Sequence, residues 1–189
     1  MNDKRLKLLN EGPVTKSILV MSLPVVMGMM IQVLYNLVDT FFIGKLDDPN
    51  QLAAANIATP IFMILMSLAG VVGTGAASYI SRCLGEKNNE QADKTLTIGI
   101  GLCIMLGLVM MIAGILFIKP LITILGASDW TFKYTYDYTF ILLIGSIPIM
   151  CNYAMGQLLR SEGDAMGSMV GMLAGTVVNI VLDPIFIFT

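Results

Sequence analysis

The 189-residue chain contains no histidine, three cysteines and one tryptophan, and only 13% of its residues are charged. Each shortage excludes a class of chemistry. Cys83, Cys103 and Cys151 lie far apart in sequence with no CxxC pair, so neither a zinc nor a haem site is expected. A net charge of −2 with scattered basic residues offers no stripe for a phosphate backbone, and nucleic acid is not an expected partner. Glycine-rich pieces do occur, GTGAAS at Gly73 to Ser78 and GIG at Gly99 to Gly101. They lack the Lys-Ser/Thr pair and preceding strand of a phosphate loop, and close helix packing is the better reading. Low-complexity linkers are missing too, and no soluble domain is visible.

What the chain has instead is apolar length. Hydrophobic residues make up 56% of it, a composition foreign to water-soluble domains. A hydrocarbon core of about 30 Å needs about 20 largely apolar residues per helical span. Five runs of that kind cover residues 18–43, 57–80, 96–118, 138–159 and 166–189. They are continuously apolar and contain glycine, whereas barrel strands would alternate with period two. The expected fold is an all-α, multi-span helical bundle in a membrane, with lipid as its surroundings.

Lysine and arginine give the orientation. Lys4, Arg5, Lys7, Lys16, Arg82, Lys87, Lys94 and Arg160 fall on one side, and Lys45, Lys119 and Lys133 on the other. The first set marks the cytoplasmic face, so the amino terminus is expected in the cytoplasm and the protein in the cell membrane. Cys83 then sits at the cytoplasmic edge, where a disulfide has no support. A polar tail of about 16 residues, a long first run and no small-residue cleavage site argue against a removable signal peptide. Trp130, Tyr134, Tyr136 and Tyr138 cluster as an outer interfacial belt would. Five is an odd number of spans, and Thr189 ends the chain within the fifth. The sequence reads as part of something larger.

Polar groups inside a membrane are costly and are functional candidates by default. Gln32, Tyr35, Asn36 and Asp39 fall at offsets 0, 3, 4 and 7 of the first run, on one helical face. Such a stripe must look into protein or a watered cavity. In the fifth run Gly167, Gly171, Gly175, Asn179 and Asp183 recur every four residues, small below and polar above. With a helical rise of about 1.5 Å per residue, Asp39 lies roughly 9 Å below Lys45, and Asp183 roughly 25 Å above Met166. The two acids can share a level. Two carboxylates in a poorly solvated pocket cannot both stay ionised cheaply, so they would hold a proton or a hard cation. The amide oxygen of Asn179 suits sodium. Structural readings stand beside these. Asp183 can cap a helix restarting at Pro184, Asp39 can be an interfacial acid, and Tyr35 and Asn36 can make ordinary interhelical hydrogen bonds.

Four stretches resemble the MATE (multidrug and toxic compound extrusion) transporters. They are LPVVMGMMIQVLYNLVDTFFIGKL at Leu23 to Leu46, GTGAASYISRCLGEKNNEQADK from Gly73, LLRSEGDAM from Leu158 and NIVLDPIFIF from Asn179, in family order along nearly the whole chain. The resemblance implies the first five helices of a six-helix amino-terminal lobe in a twelve-helix, two-lobe transporter. The sixth helix and the second lobe would be missing here.

It also implies secondary active export of cationic or amphiphilic compounds in exchange for protons or sodium, with no enzymatic step and no cofactor beyond the coupling ion. Asp39, Asn179 and Asp183 match the family's coupling site, which would hold sodium if sodium is used. Gln32, Tyr35 and Asn36 match the cavity face, and Asn152 lines the same cavity from the fourth helix. Pro24 and Pro184 are candidate hinges, since proline removes a backbone hydrogen bond. The alternative of the same architecture is a flippase for lipid-linked saccharides or lipid precursors such as those of peptidoglycan, which favours a basic cavity. An intramembrane aspartyl protease needs YD or GxGD settings that neither acid has, and a passive channel needs no paired titratable groups.

Overall fold

The structure is a computed structural model that describes residues 13–43 and 49–188. Among the described residues every regular element is a helix. In chain order these are α1 (Val14–Ile43), α2 (Pro49–Gly85), α3 (Asn89–Leu116), α4 (Ile118–Ile124), α5 (Phe132–Ile144), α6 (Ser146–Ser161) and α7 (Ala165–Phe188). Three helices, α1, α2 and α3, are long and apolar enough to cross a membrane. The pair α5 and α6 makes a fourth candidate span, bent by 55°. The fifth run lies in α7, whose described apolar stretch covers Ala165–Val178. With apolar helices of this length the chain is a multi-pass membrane protein.

Two prolines lie just past helix breaks, and two others lie inside continuous helices. A proline at position i offers no N–H to the carbonyl of residue i−4 and its ring crowds that carbonyl. Pro120 offers no donor to the Leu116 carbonyl and Pro148 none to that of Ile144, and α3 and α5 end at those two residues. α3 ends at Leu116 before Phe117, and α5 ends at Ile144 before Gly145. The hydrogen bonds on either side persist, with Phe117 donating to Ala113 and Gly145 to Ile141, both at 3.0 Å. The run read as one helix over 138–159 is thus two helices starting earlier, at Phe132. The run 96–118 ends in a separate short helix, α4. Pro24 and Pro60 lie inside the uninterrupted α1 and α2.

The chain separates into two compact units, residues 46–155 and residues 1–45 with 156–189. The core of the first gathers Ile61, Ile118, Ile122 and Leu143, so the unexpected α4 is part of the packing. Leu65, Ala69 and Met150 form a second buried cluster. Tyr136 packs against the first cluster and stacks on Phe140 with ring centroids 6.3 Å apart, whereas Trp130 is 83% exposed. The expected aromatic belt is therefore mixed, with Tyr136 turned to the core. Small residues let α3 approach its neighbours. A Cβ on Gly99 would come 3.3 Å from that of Ala76 on α2, and one on Gly107 would come 2.9 Å from the Cα of Ile147 on α6. Ser146 closes this contact by donating its buried hydroxyl to the Gly107 carbonyl at 2.9 Å.

In the other unit α1 packs on α7. A Cβ on Gly28 would meet the Met172 Sδ at 3.4 Å and the Met169 Cγ at 3.8 Å. Away from that seam α1 is broadly exposed, through Leu19, Leu23, Met27, Met30, Leu34 and Leu37 among others. A surface of this kind is untenable in water and fits lipid or further protein.

Candidate cation and substrate site

The α1 stripe and the α7 ridge belong to one unit, and their register follows from two contacts. Ser22, Val25, Val26 and Met29 of α1 share a cavity with Ala165, the first residue of α7. Near the far end of that α1 stretch, Gly28 meets Met169 and Met172, further along α7 than Ala165. Residue numbers rise together on both helices, so α1 and α7 run parallel. Gln32 is exposed and Tyr35 half-buried on α1. The backbones of Asn36, Asp39, Asn179, Asp183 and Pro184 lie within α1 and α7, but their side chains fall outside the described residues.

The lower ridge of α7 differs from its sequence reading. A Cβ on Gly171 or Gly175 would meet nothing within 4 Å, so these glycines do not bring another helix into contact among the described residues. It is Gly28 of α1, facing two methionines, that gives the close approach. Gly167 has a local cause instead. Asp164 caps α7 by accepting the Gly167 N–H at 3.0 Å, and a Cβ at 167 would come 2.5 Å from its other carboxylate oxygen. Pro24 is buried with α1 continuous through it, while Asn152 is exposed on α6 in the other unit. Asn152 and the α1–α7 stripe are thus described in separate bodies.

The RSEGD turn, quoted above only for its resemblance, contributes a side-chain linkage that the sequence did not single out. Past the end of α6 at Ser161 the chain turns at Gly163, whose φ of +80° is the left-handed conformation glycine accepts readily, and Asp164 caps α7. Across the turn the Arg160 Nη1 donates to the Ser168 Oγ at 3.1 Å, and that hydroxyl donates to the Gly156 carbonyl at 3.3 Å. Arg160 also lines the cavity beside Ser22 and Val25, which has a volume of about 350 Å³. The signal was an arginine four residues before the next helix's aspartate cap. The sequence alone gives Arg160 a cytoplasmic charge and a place in LLRSEGDAM. Among the described residues no group of three or more His, Cys, Asp or Glu is arranged to hold a metal.

The sequence model of the MatE family matches residues 24–185. The multidrug export protein MepA of Staphylococcus aureus (strain MRSA252) is 35% identical over 188 residues, covering 100% of this chain and 42% of its own length. A solved MOP superfamily transporter from Pyrococcus furiosus, described as having a binding pocket of reversed polarity, superposes with a TM-score of 0.91 at 36% identity, over 98% of this chain and 40% of its own. A MATE crystal structure in complex with MaD3S gives 0.90 at 36% identity, over 97% and 41%. The chain therefore spans less than half the length of these relatives.

Proposed function

The chain belongs to the MatE family, and from that premise we propose that it forms the amino-terminal part of a secondary antiporter exporting cationic or amphiphilic organic compounds. The carrying observation is the likeness to a multidrug export protein along the whole of this chain. The proposed arrangement is a partial amino-terminal lobe whose sixth helix and partner lobe lie in the rest of the protein. Its amino terminus faces the cytoplasm and its home is the cell membrane.

Exchange is driven by protons or sodium at Asp39 and Asp183, with the Asn179 carbonyl oxygen as a further ligand when sodium is the ion. The α1–α7 register supports this reading. Position 39 lies eleven residues beyond Gly28, and position 183 eleven beyond Met172, on parallel helices. A rise of about 1.5 Å per residue carries both to about 16 Å beyond the same contact. Two carboxylates at one level in a dry cavity repel and are poorly solvated, so a proton or sodium ion relieves both penalties. Its arrival lets α1 bend near Pro24 or its polar stripe, with Pro184 marking a second flexible point. The cavity face formed by Gln32, Tyr35 and Asn36 then shrinks, and the organic cation leaves outward. Tyr35 adds an aromatic face for a cation, and the methionines of α1 supply an adaptable wall.

The test is gradient-driven movement of a fluorescent cationic dye in vesicles containing the full-length protein. Dye transport that follows an imposed proton or sodium gradient is expected. Equal transport with and without either gradient would exclude coupled exchange.

A further inference from the structure

Cys103 and Cys151 are 48 positions apart in sequence, on α3 and α6, two helices that meet where Gly107 approaches Ile147. Gly107 opposes Ile147 so closely that backbone nearly meets side-chain space, and Ser146 fixes the register through the Gly107 carbonyl. Further along α3, Gly114 meets Leu143. Numbers rise on α3 as they fall on the partner segment, so the two run antiparallel. One helical turn back from Gly107 is Cys103, and one turn on from Ile147 is Cys151, each on the face that makes the contact. Cys151 lies near enough to Cys103 to act on it electrostatically. Cys103 is fully buried, Cys151 is partly exposed, and neither is in a disulfide.

We propose that Cys103 and Cys151 form an intramembrane dithiol site for a soft, two-coordinate divalent cation of the mercuric type. Thiolate sulfur selects soft metals. Zinc is disfavoured because it wants four ligands and no third His, Cys, Asp or Glu joins the pair among the described residues. Charge decides between soft ions. Each thiol releases its proton to water as its S–metal bond forms, with no change of oxidation state. A divalent ion with two thiolates is then neutral and suits an apolar interior, whereas a monovalent ion would leave a buried negative charge. Entry is through the partly exposed Cys151. The bound ion ties α3 to α6 across their closest contact.

The experiment treats the full-length protein in detergent with one equivalent of mercuric chloride, then labels free thiols with maleimide and maps the peptides by mass spectrometry. Cys83, on α2, serves as the independent thiol. The expected result is that one equivalent protects Cys103 and Cys151 together and links their peptides through one mercury. In Cys103→Ala or Cys151→Ala the remaining thiol gives up mercury to 2-mercaptoethanol at a concentration lower by about 10²-fold, since the second sulfur no longer raises the local ligand concentration. Independent blocking of the two cysteines, or uptake of two mercury ions by the pair, overturns the proposal. The wild-type mapping needs no substitution, so poor folding of a variant does not remove the test.

Discussion

Gly107 has little room for a side chain, because a Cβ there would come 2.9 Å from the backbone of α6. Gly107→Val should lower stability by about 1 to 3 kcal/mol through overpacking, as read by thermal unfolding in detergent. Gly101, on the same helix with nothing within 4 Å of its Cβ position, should accept valine with little change. Ser146→Ala should cost about 1 kcal/mol by leaving the Gly107 carbonyl without its side-chain partner. Lys87 offers the opposite sign. Its φ of +59° is left-handed, so Lys87→Gly should raise the unfolding midpoint by relieving about 1 kcal/mol of strain. At this scale the sequence announced glycine packing but not its address. GIG contributes only Gly99 to a contact, while Gly28 and Gly107 look like any other apolar-run glycine until a partner helix is known. The cysteine pair was illegible for the same reason, since facing positions on distant segments leave no local spacing.

The runs 18–43 and 57–80 fall within α1 and α2, the run 96–118 passes the end of α3 at Leu116, and the run from 166 lies in α7. Periodicity could not say which prolines break a helix. Pro24 and Pro60 are carried within continuous helices, while Pro120 and Pro148 each follow an interruption by three residues, at Phe117 and Gly145. The missing donor is common to all four, so the local rule names candidates and tertiary packing chooses among them. α4 shows this directly, because Ile118 and Ile122 are buried in a core that a surface loop would not reach. Pro148→Ala restores a donor for the Ile144 carbonyl. If the proline causes the 55° bend, spin labels at positions 134 and 155 should move apart by about 3 Å, as the rise along a straighter helix requires. An unchanged distance would assign the bend to the Ser146 and Ile147 contact with Gly107.

Membrane class and family were legible across the whole chain, because apolar run length and four ordered motifs are properties of sequence alone. The candidate site was legible only as a pattern: stripes at helical spacing put Asp39 and Asp183 on α1 and α7, and the Gly28 contact now supplies the register that spacing lacks. The Arg160, Ser168 and Gly156 linkage was not legible, since it depends on how the RSEGD turn folds α7 back beside α6. The proposed orientation has its own check. A cysteine introduced at Asn88 should react with an impermeant maleimide only from the cytoplasmic side, and labelling from outside would reverse the assignment. The central claim is that the two aspartates carry the coupling ion. Its most direct measurement is gradient-driven dye transport by full-length protein bearing Asp39→Asn or Asp183→Asn, with dye binding measured in parallel. The account predicts that each substitution abolishes the response to the coupling gradient while dye still binds. Transport like the wild type in both variants, under both proton and sodium gradients, would contradict it.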